Sequence, residues 1–195
     1  MNAPFSEDRG VQLMLALQAG DSSAFAELVK EYEGRAFALL RRMLGPAAPI
    51  EDLAQEAFLR VWRNRDRYQA VGKFSTWFYR ILHNLALNSA RDSGRKPVSR
   101  MPKSPEGEDL ALPDSSVVEP WEASTPQEWA PLIDRGLQQL PENQRAALVF
   151  QHYEGLSLDE IGDLLGVSGK AVKSLLYRSR ENLRDFLAPY RKEEQ

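Results

Sequence analysis

The sequence contains no cysteine and only two histidines among its 195 residues. Without thiols it has neither disulfide bonds nor thiolate metal ligands, and the isolated His83 and His152 do not suggest a metal site. Apolar runs of the roughly 20 residues that span a bilayer are also missing. The N-terminus, MNAPFSEDRG, carries acids where a secretory signal would carry bases. We therefore expect no metal, no cofactor, no membrane insertion and a cytoplasmic location.

Charge and proline are unevenly distributed along the chain. The net charge is −3, yet residues 60–100 hold ten bases and two acids. Seven of the twelve prolines lie between Lys96 and Pro131, and residues 104–130 carry seven acids and no base. Such a segment does not build a regular helix or strand. We predict an all-α protein with two small helical domains on a flexible acidic linker, with boundaries at 1–95, 96–130 and 131–195.

The segment 156–187 has the pattern of a helix-turn-helix. Ser157 and Glu160 have the spacing of a capping box, in which each side chain satisfies a free backbone donor at a helix start. Gly166 suits the left-handed conformation that ends a helix. Ser168 is then placed to cap a second helix.

The second of these helices separates apolar from polar side chains at 100° per residue. Its apolar side comprises Val172, Leu175, Leu176, Leu183 and Phe186. The opposite side carries Lys170, Lys173, Ser174, Tyr177, Arg180 and Arg184. Between Gly166 and Arg184 five bases, Arg178 included, stand against the one acid Glu181, in a chain that is net acidic. A basic face is either ordinary solvated surface or a polyanion site, and the two capped helices around a glycine turn favour DNA.

A second amphipathic helix is predicted between Asp52 and Arg63. Its apolar stripe comprises Leu53, Ala54, Ala57, Phe58, Val61 and Trp62. Its opposite face carries Asp52, Gln55, Glu56, Leu59 and Arg63. A leucine among polar residues is either a common surface leucine or the apolar centre of a docking surface, and this helix alone does not decide between them.

Bases and aromatic residues interleave between residues 64 and 96. The aromatic residues are Tyr68, Phe74, Trp77, Phe78 and Tyr79, and a loop around Gly72 would expose them to unstacked bases. After Ser75 or Thr76 as a cap, a helix is predicted whose core side comprises Trp77, Phe78, Ile81, Leu82 and Leu85. Its other face carries Arg80, Asn84, Leu87 and Arg91, with Asn88 near the boundary. His83 lies beside that face and is predicted to be an ordinary surface histidine, whereas the face itself is the candidate for DNA contact.

Three segments in this order resemble the extracytoplasmic-function (ECF) group of bacterial sigma factors, in the sigma-70 family. The polymerase-binding segment of that family is similar to EDLAQEAFLRVW, and its melting and minus-ten-reading segment is similar to GKFSTWFYRILHNLALNSAR. Its minus-thirty-five domain is similar to LPENQRAALVFQHYEGLSLDEIGDLLGVSGKAVKSLLYRSRENL. The resemblance covers nearly the whole chain. It implies a non-enzymatic initiation factor that binds core RNA polymerase, directs it to promoter DNA, helps to melt the minus-ten element and is commonly held inactive by an anti-sigma factor.

The resemblance also implies roles for three groups of residues. Those facing the clamp helices of the polymerase largest catalytic subunit are Asp52, Gln55, Glu56 and Leu59. Those around a base flipped from the minus-ten strand are Asn64, Tyr68, Ile81 and Asn84, and the nearby Lys73, Arg80, Asn88 and Arg91 complete the predicted minus-ten set. Those predicted to enter the major groove at minus thirty-five are Lys170, Lys173, Ser174, Tyr177, Arg178 and Arg180.

The chain departs from the family pattern at two kinds of position. Leu175 stands where many members have arginine, which removes a phosphate contact, and Lys170 is expected to replace part of that charge. The linker in this family threads through the polymerase cleft. Its acids here either keep the segment solvated or occupy a channel built for nucleic acid.

Two other functions are compatible with a helix-turn-helix, and each lacks a supporting feature. An autonomous activator or repressor would need a dimerisation surface, and no heptad run provides one. A recombinase or nuclease would need clustered carboxylates or a supported nucleophile, whereas Asp66 and Asp92 are isolated and Tyr177 has no evident supporting residues. We expect a monomer that binds duplex DNA poorly without core polymerase. The sequence predicts nothing about order before Asp21.

Overall fold

The computed structural model describes residues 7–92, 94 and 129–190, and the chain divides into two compact units, Met1–Ser93 and Gly94–Gln195. The longer regular elements of the described ranges are α-helices, which confirms the all-α prediction: α1 (Arg9–Gln18), α2 (Ser23–Leu44), α3 (Ile50–Asn64), α4 (Phe74–Asp92), α5 (Ala130–Gln139), α6 (Glu142–His152), α7 (Leu158–Leu165) and α8 (Gly169–Leu187). The predicted linker lies outside the described residues except for Trp129 and Ala130. Within the described ranges no helix has both the length and the apolar character needed to cross a bilayer.

The N-terminal unit contains a helix, α1, that no sequence pattern had predicted. It starts at Asp8, whose side chain accepts a hydrogen bond from the backbone N–H of Val11 at 2.9 Å. Val11, Met14 and Leu17 are buried, and α1 packs against α2 and also contacts α4. Of the segment before Asp21, helix α1 is therefore part of the packed domain.

Aromatic side chains join α2, α3 and α4 in the core of this unit. The ring of Tyr32 meets Phe74 and Phe78 edge-on, with centroid distances of 4.9 and 5.8 Å. Phe58 of α3 lies 5.1 Å from Phe78. Such pairs stabilise beyond their buried area by about 0.5–1.5 kcal/mol each. The three helices therefore meet around one aromatic cluster.

The buried face of α4 is rotated from the predicted one. Trp77 and Ile81, predicted as core, are half-buried. His83, predicted at the surface, is 5% exposed, and Tyr79 beside it is 2% exposed. The prediction was wrong here because α4 packs against α1, α2 and α3, and these neighbours turn its buried face towards Tyr79 and His83 and away from Trp77 and Ile81.

Trp62 on α3 is a second departure from the predicted core. It was placed in the buried stripe, yet it is 36% exposed. Its ring contacts Phe25 edge-on at 5.1 Å, and the guanidinium of Arg65 lies 4.5 Å from the ring centroid. Trp62 lies in the last turn of α3, and one side of its indole stays open to solvent.

The C-terminal unit is built around α8, which packs against α5, α6 and α7. A Cβ on Gly136 of α5 would lie 2.5 Å from Cδ1 of Leu183, so these two helices approach at a glycine. At the end of α8, Phe186 is half-buried and Leu187 is buried, whereas the sequence had placed Phe186 in the core. Phe186 borders the contact with α5 near Gly136, and the rest of its side chain remains partly exposed.

Candidate nucleic-acid and docking interfaces

The helix-turn-helix of α7 and α8 has the local geometry that its sequence predicted. Ser157 and Glu160 form a reciprocal capping box. The N–H of Ser157 donates to Oε2 of Glu160 at 2.9 Å, and the N–H of Glu160 donates to Oγ of Ser157 at 3.2 Å. Gly166 adopts a left-handed conformation with φ of 68°. The hydroxyl of Ser168 accepts from the N–H of Ala171 at 3.2 Å and caps α8. Local hydrogen bonds thus define both ends of the turn.

The turn also depends on a glycine that the sequence did not single out. The N–H of Val167 donates to the carbonyl oxygen of Gly162 at 3.0 Å, which folds the turn back onto α7. A Cβ on Gly162 would lie 2.8 Å from the carbonyl oxygen of Val167. Because that neighbour is backbone, it cannot rotate away, and the close approach of turn and helix requires glycine.

The basic face of α8 is exposed opposite its buried apolar face. Lys170, Lys173 and Arg178 are exposed, Tyr177 is 40% exposed and Ser174 is half-buried. On the other side Val172, Leu175 and Leu176 are buried, so Leu175 belongs to the core as its place in the apolar stripe predicted. The arrangement offers cations, a hydroxyl and an aromatic ring together on one side of a capped helix.

Arg180 has a different environment from the other predicted DNA contacts. It is half-buried, and its Nη2 donates to Oε1 of Gln151 in α6 at 3.0 Å. Arg184, one turn further along, forms an ion pair with Glu181 of the same helix. These two cations make protein contacts, so the exposed positive charge of α8 is concentrated in its first half.

The polar face of α3 surrounds an exposed leucine. Leu59 is 45% exposed, and Asp52 and Gln55 are exposed on the preceding turns. Glu56 accepts from Nε of Arg60 at 2.8 Å, and this hydrogen bond holds the pKa of the Glu56 carboxyl below its usual value. The structure thus places all four predicted docking residues on an accessible side of α3.

Most of the predicted minus-ten residues line the outer side of α4 and the segments next to it. Asn64 ends α3, and its Nδ2 donates to the carbonyl oxygen of Arg60 at 2.8 Å. Lys73 is exposed just before α4 and Ile81 is half-buried. The remaining members that are exposed on α4 are Arg80, Asn84, Asn88 and Arg91.

Tyr68 does not have the exposure that a base-stacking platform needs. It is 7% exposed, and its ring lies 5.0 Å from Trp77 and 6.2 Å from Phe74. Its hydroxyl is buried without a hydrogen-bond partner in the described part of the chain. Burial, followed by the nearby Asp8 carboxylate, raises the pKa of Tyr68 to about 12.

The loop around Gly72 therefore differs from the prediction that it exposes aromatic rings. Phe74, Phe78 and Tyr79 are buried as well as Tyr68, because these rings fill the junction of four helical segments. The apolar side chain that the loop does expose is Val71, at 81%. Helical periodicity predicted the burial of Phe78. The sequence offered no signal for the burial of Tyr68, Phe74 and Tyr79, since it depends on which helices meet around these rings.

One further residue of this region was missed. The Nε2 group of Gln18, at the end of α1, donates to the carbonyl oxygens of Arg65 at 2.6 Å and Tyr68 at 2.9 Å. These bonds connect residues 47 and 50 positions apart. No periodic pattern indicates a contact between a helix end and a loop so distant in sequence.

Comparison with known proteins identifies the family. The profile of sigma-70 region 2 matches residues 28–96, and the profile of sigma-70 region 4 matches residues 131–183. The chain is 36% identical over 175 residues to the ECF RNA polymerase sigma factor SigW of Bacillus subtilis, covering 88% of this chain and 92% of SigW. The chain belongs to the ECF group of the sigma-70 family. Sigma factors are transcription initiation factors, and so is this protein, as its three sequence segments predicted.

Solved structures of sigma factors share the fold. A structure of CnrH in complex with the cytosolic domain of CnrY matches with a TM-score of 0.64 and 24% identity, covering 93% of this chain and 97% of CnrH. The sigma factor RpoE of Bartonella quintana, solved in complex with the anti-sigma factor NepR, matches with a TM-score of 0.61 and 19% identity, covering 84% and 96%. At these identities the likeness supports the helical architecture of the sigma factor.

Proposed function

We propose that this sigma factor binds core RNA polymerase through α3, reads and melts the minus-ten element with α4 and the preceding loop, and reads the minus-thirty-five element with α8. In this proposal residues 1–95 and 131–195 are the two working domains and 96–130 tether them. The protein acts in the cytoplasm as a monomer outside its complexes. Tethering raises the effective concentration of the second contact once the first has formed.

The observation that carries the proposal is the exposure of Leu59 among polar side chains. An apolar side chain at 45% exposure, bordered by Asp52, Gln55 and Glu56, has the apolar centre and polar rim of a protein interface. The residues alone left Leu59 open between docking and ordinary surface, and membership of the sigma-70 family favours docking. Its proposed partner is the clamp of the polymerase largest catalytic subunit.

The two proposed DNA surfaces use different chemistry. At minus thirty-five, Lys170, Lys173 and Arg178 supply cations and Ser174 and Tyr177 supply hydroxyls, which suits base edges and phosphates in the major groove. Arg180 lies at the border of this surface and donates a hydrogen bond to Gln151. At minus ten, the proposed contacts are Asn64, Lys73, Arg80, Ile81, Asn84, Asn88 and Arg91. The buried Tyr68 is proposed to support this set through its ring contacts with Phe74 and Trp77.

Run-off transcription with core polymerase tests this function. We expect promoter-specific transcripts with the wild-type protein and a large loss with Leu59→Arg, because a charge at the centre of an interface costs about 2 kcal/mol or more. Leu15→Arg is the matched control, since Leu15 is a similarly exposed leucine, at 41%, on α1. Promoter binding without polymerase, together with no stimulated transcript, would identify an autonomous regulator instead.

We also propose that an anti-sigma factor regulates the protein. Support comes from Bartonella quintana RpoE, a protein of the same fold that was solved in complex with an anti-sigma factor. An inhibitor that covers the Leu59 surface must exclude polymerase. We therefore expect excess core polymerase to displace it from the wild-type protein, and a complex that binds both at once would contradict this proposal.

A further inference from the structure

The loop between α3 and α4 is held at its beginning by a side chain from α1. The short 3₁₀ helix Arg65–Arg67 ends at Tyr68, and α4 starts at Phe74. Gln18 donates both of its amide hydrogens to carbonyl oxygens at the start of the loop, those of Arg65 and Tyr68. The Arg65 carbonyl oxygen also accepts the helical bond from the N–H of Tyr68 at 3.2 Å, so the Gln18 amide adds a second donor there and supplies a donor to the Tyr68 carbonyl just past the helix end.

The end of the loop is held by ring packing. Tyr68 lies 6.2 Å from Phe74 and 5.0 Å from Trp77, the residues with which α4 begins. Between these two anchors the N–H of Val71 donates to the carbonyl oxygen of Gln69 at 2.9 Å, which folds the backbone into a tight turn. The turn projects Val71 into solvent at 81% exposure, and Lys73 follows it at the surface.

We propose that Gln18 is a positioning residue for promoter reading: it fixes the height and orientation of the loop that presents Val71 and Lys73 to the melted minus-ten strand. This inference rests on the function proposed above. Binding residues on loops act with precision only when a rigid scaffold holds them. The scaffold here is α1, and Gln18 is its link to the loop. Helix α1 then contributes to base selection without touching DNA.

The position of Gln18 suits this role chemically. It lies at the end of α1, behind the buried residues Met14 and Leu17, which fix the helix against the rest of the unit. Its amide is neutral and has two N–H groups, so it satisfies two carbonyl oxygens without adding a charge beside DNA. A leucine has a similar reach and no donor, which makes Gln18→Leu a direct probe of the hydrogen bonds.

The test is selectivity of holoenzyme transcription on promoters that differ at single minus-ten positions. We expect Gln18→Leu to reduce the ratio between preferred and disfavoured bases by about tenfold, the worth of one good base contact, and to leave the ratio at minus-thirty-five positions unchanged. Gln18→Lys, whose ammonium can donate to both carbonyl oxygens, should restore part of the minus-ten ratio. Gln12→Leu, at an exposed glutamine of the same helix, is the matched control and should leave both ratios unchanged.

The ratio of transcription from preferred and disfavoured promoters distinguishes a loss of loop positioning from a loss of folded protein, because a smaller folded fraction lowers all transcripts equally. Wild-type selectivity in Gln18→Leu, or an equal loss on every promoter, would overturn the inference while the proposed function stands. Absence of any polymerase-dependent transcript with the wild-type protein would overturn the proposed function itself. The wild-type lanes therefore distinguish the two failures.

Discussion

Arg180 of α8 donates a hydrogen bond from Nη2 to Oε1 of Gln151 in α6 across 3.0 Å. The bond joins the helix that carries the exposed cations to the helix it packs against. Arg180 is thereby placed to orient α8 within the domain, whereas Arg178 is exposed and open to solvent.

We predict that Arg180 supports minus-thirty-five binding mainly through Gln151. In a double-mutant cycle, Arg180→Ala and Gln151→Ala should each weaken holoenzyme binding, and the double variant should lose little more than either single one. The dependence of log affinity on log salt should keep its slope in Gln151→Ala and fall by about 0.9 in Arg178→Ala, as expected for one lost phosphate contact. A reduced slope in Arg180→Ala, with no effect of Gln151→Ala, would instead identify a direct phosphate contact.

Gly162→Ala should destabilise the helix-turn-helix. Its Cβ would lie 2.8 Å from the carbonyl oxygen of Val167, so the turn must shift, at a cost of about 1–3 kcal/mol. Gly34→Ala is the control, since Gly34 of α2 has open space around it and alanine there should stabilise by up to about 1 kcal/mol. Circular dichroism during urea unfolding measures both. Equal stabilisation by the two substitutions would show that the turn adapts without cost.

The stability of the N-terminal unit should depend on pH through His83. Burial lowers the pKa of His83 from 6.5 to about 4, so the unfolded chain binds a proton that the folded one excludes between these values. The contribution of neutral, buried His83 to the free energy of unfolding is therefore complete above pH 6.5. It is lost as the pH falls towards 4, with a slope of up to about 1.4 kcal/mol per pH unit. His83→Gln should flatten this dependence, and His152→Gln, in the other unit, should not. Tryptophan fluorescence during denaturant unfolding at several pH values provides the measurement.

Tyr68→Phe should preserve or raise stability and leave promoter melting intact. The hydroxyl is buried without a partner in the described residues, so its removal costs no hydrogen bond there, while the ring keeps its contacts with Phe74 and Trp77. Tyr68→Ala removes those contacts and should cost about 3–5 kcal/mol. Thermal unfolding and permanganate reactivity of the open promoter check both effects. Loss of melting in a stably folded Tyr68→Phe would show that the hydroxyl itself contacts DNA.

The sequence predicted the features that local chemistry controls. The capping box of Ser157 and Glu160, the left-handed Gly166 and the cap at Ser168 involve partners no more than four residues apart. Exposure of Leu59 and burial of Leu175 follow from helical periodicity on helices with one packed side. The family itself was recognisable from three segments in order.

Only the tertiary structure decided where several helices meet. His83 is buried and Trp62 is partly exposed because packing from neighbouring helices sets the width of a buried arc. The hydrogen bond from Gln18 to the loop joins residues up to 50 positions apart, and that from Arg180 to Gln151 crosses between helices. Sequence by itself predicted helices α3, α4, α7 and α8 and the chemistry that each of them carries. Folding determined which side chains hold the proposed DNA-binding surfaces in place, since such contacts depend on distance in space.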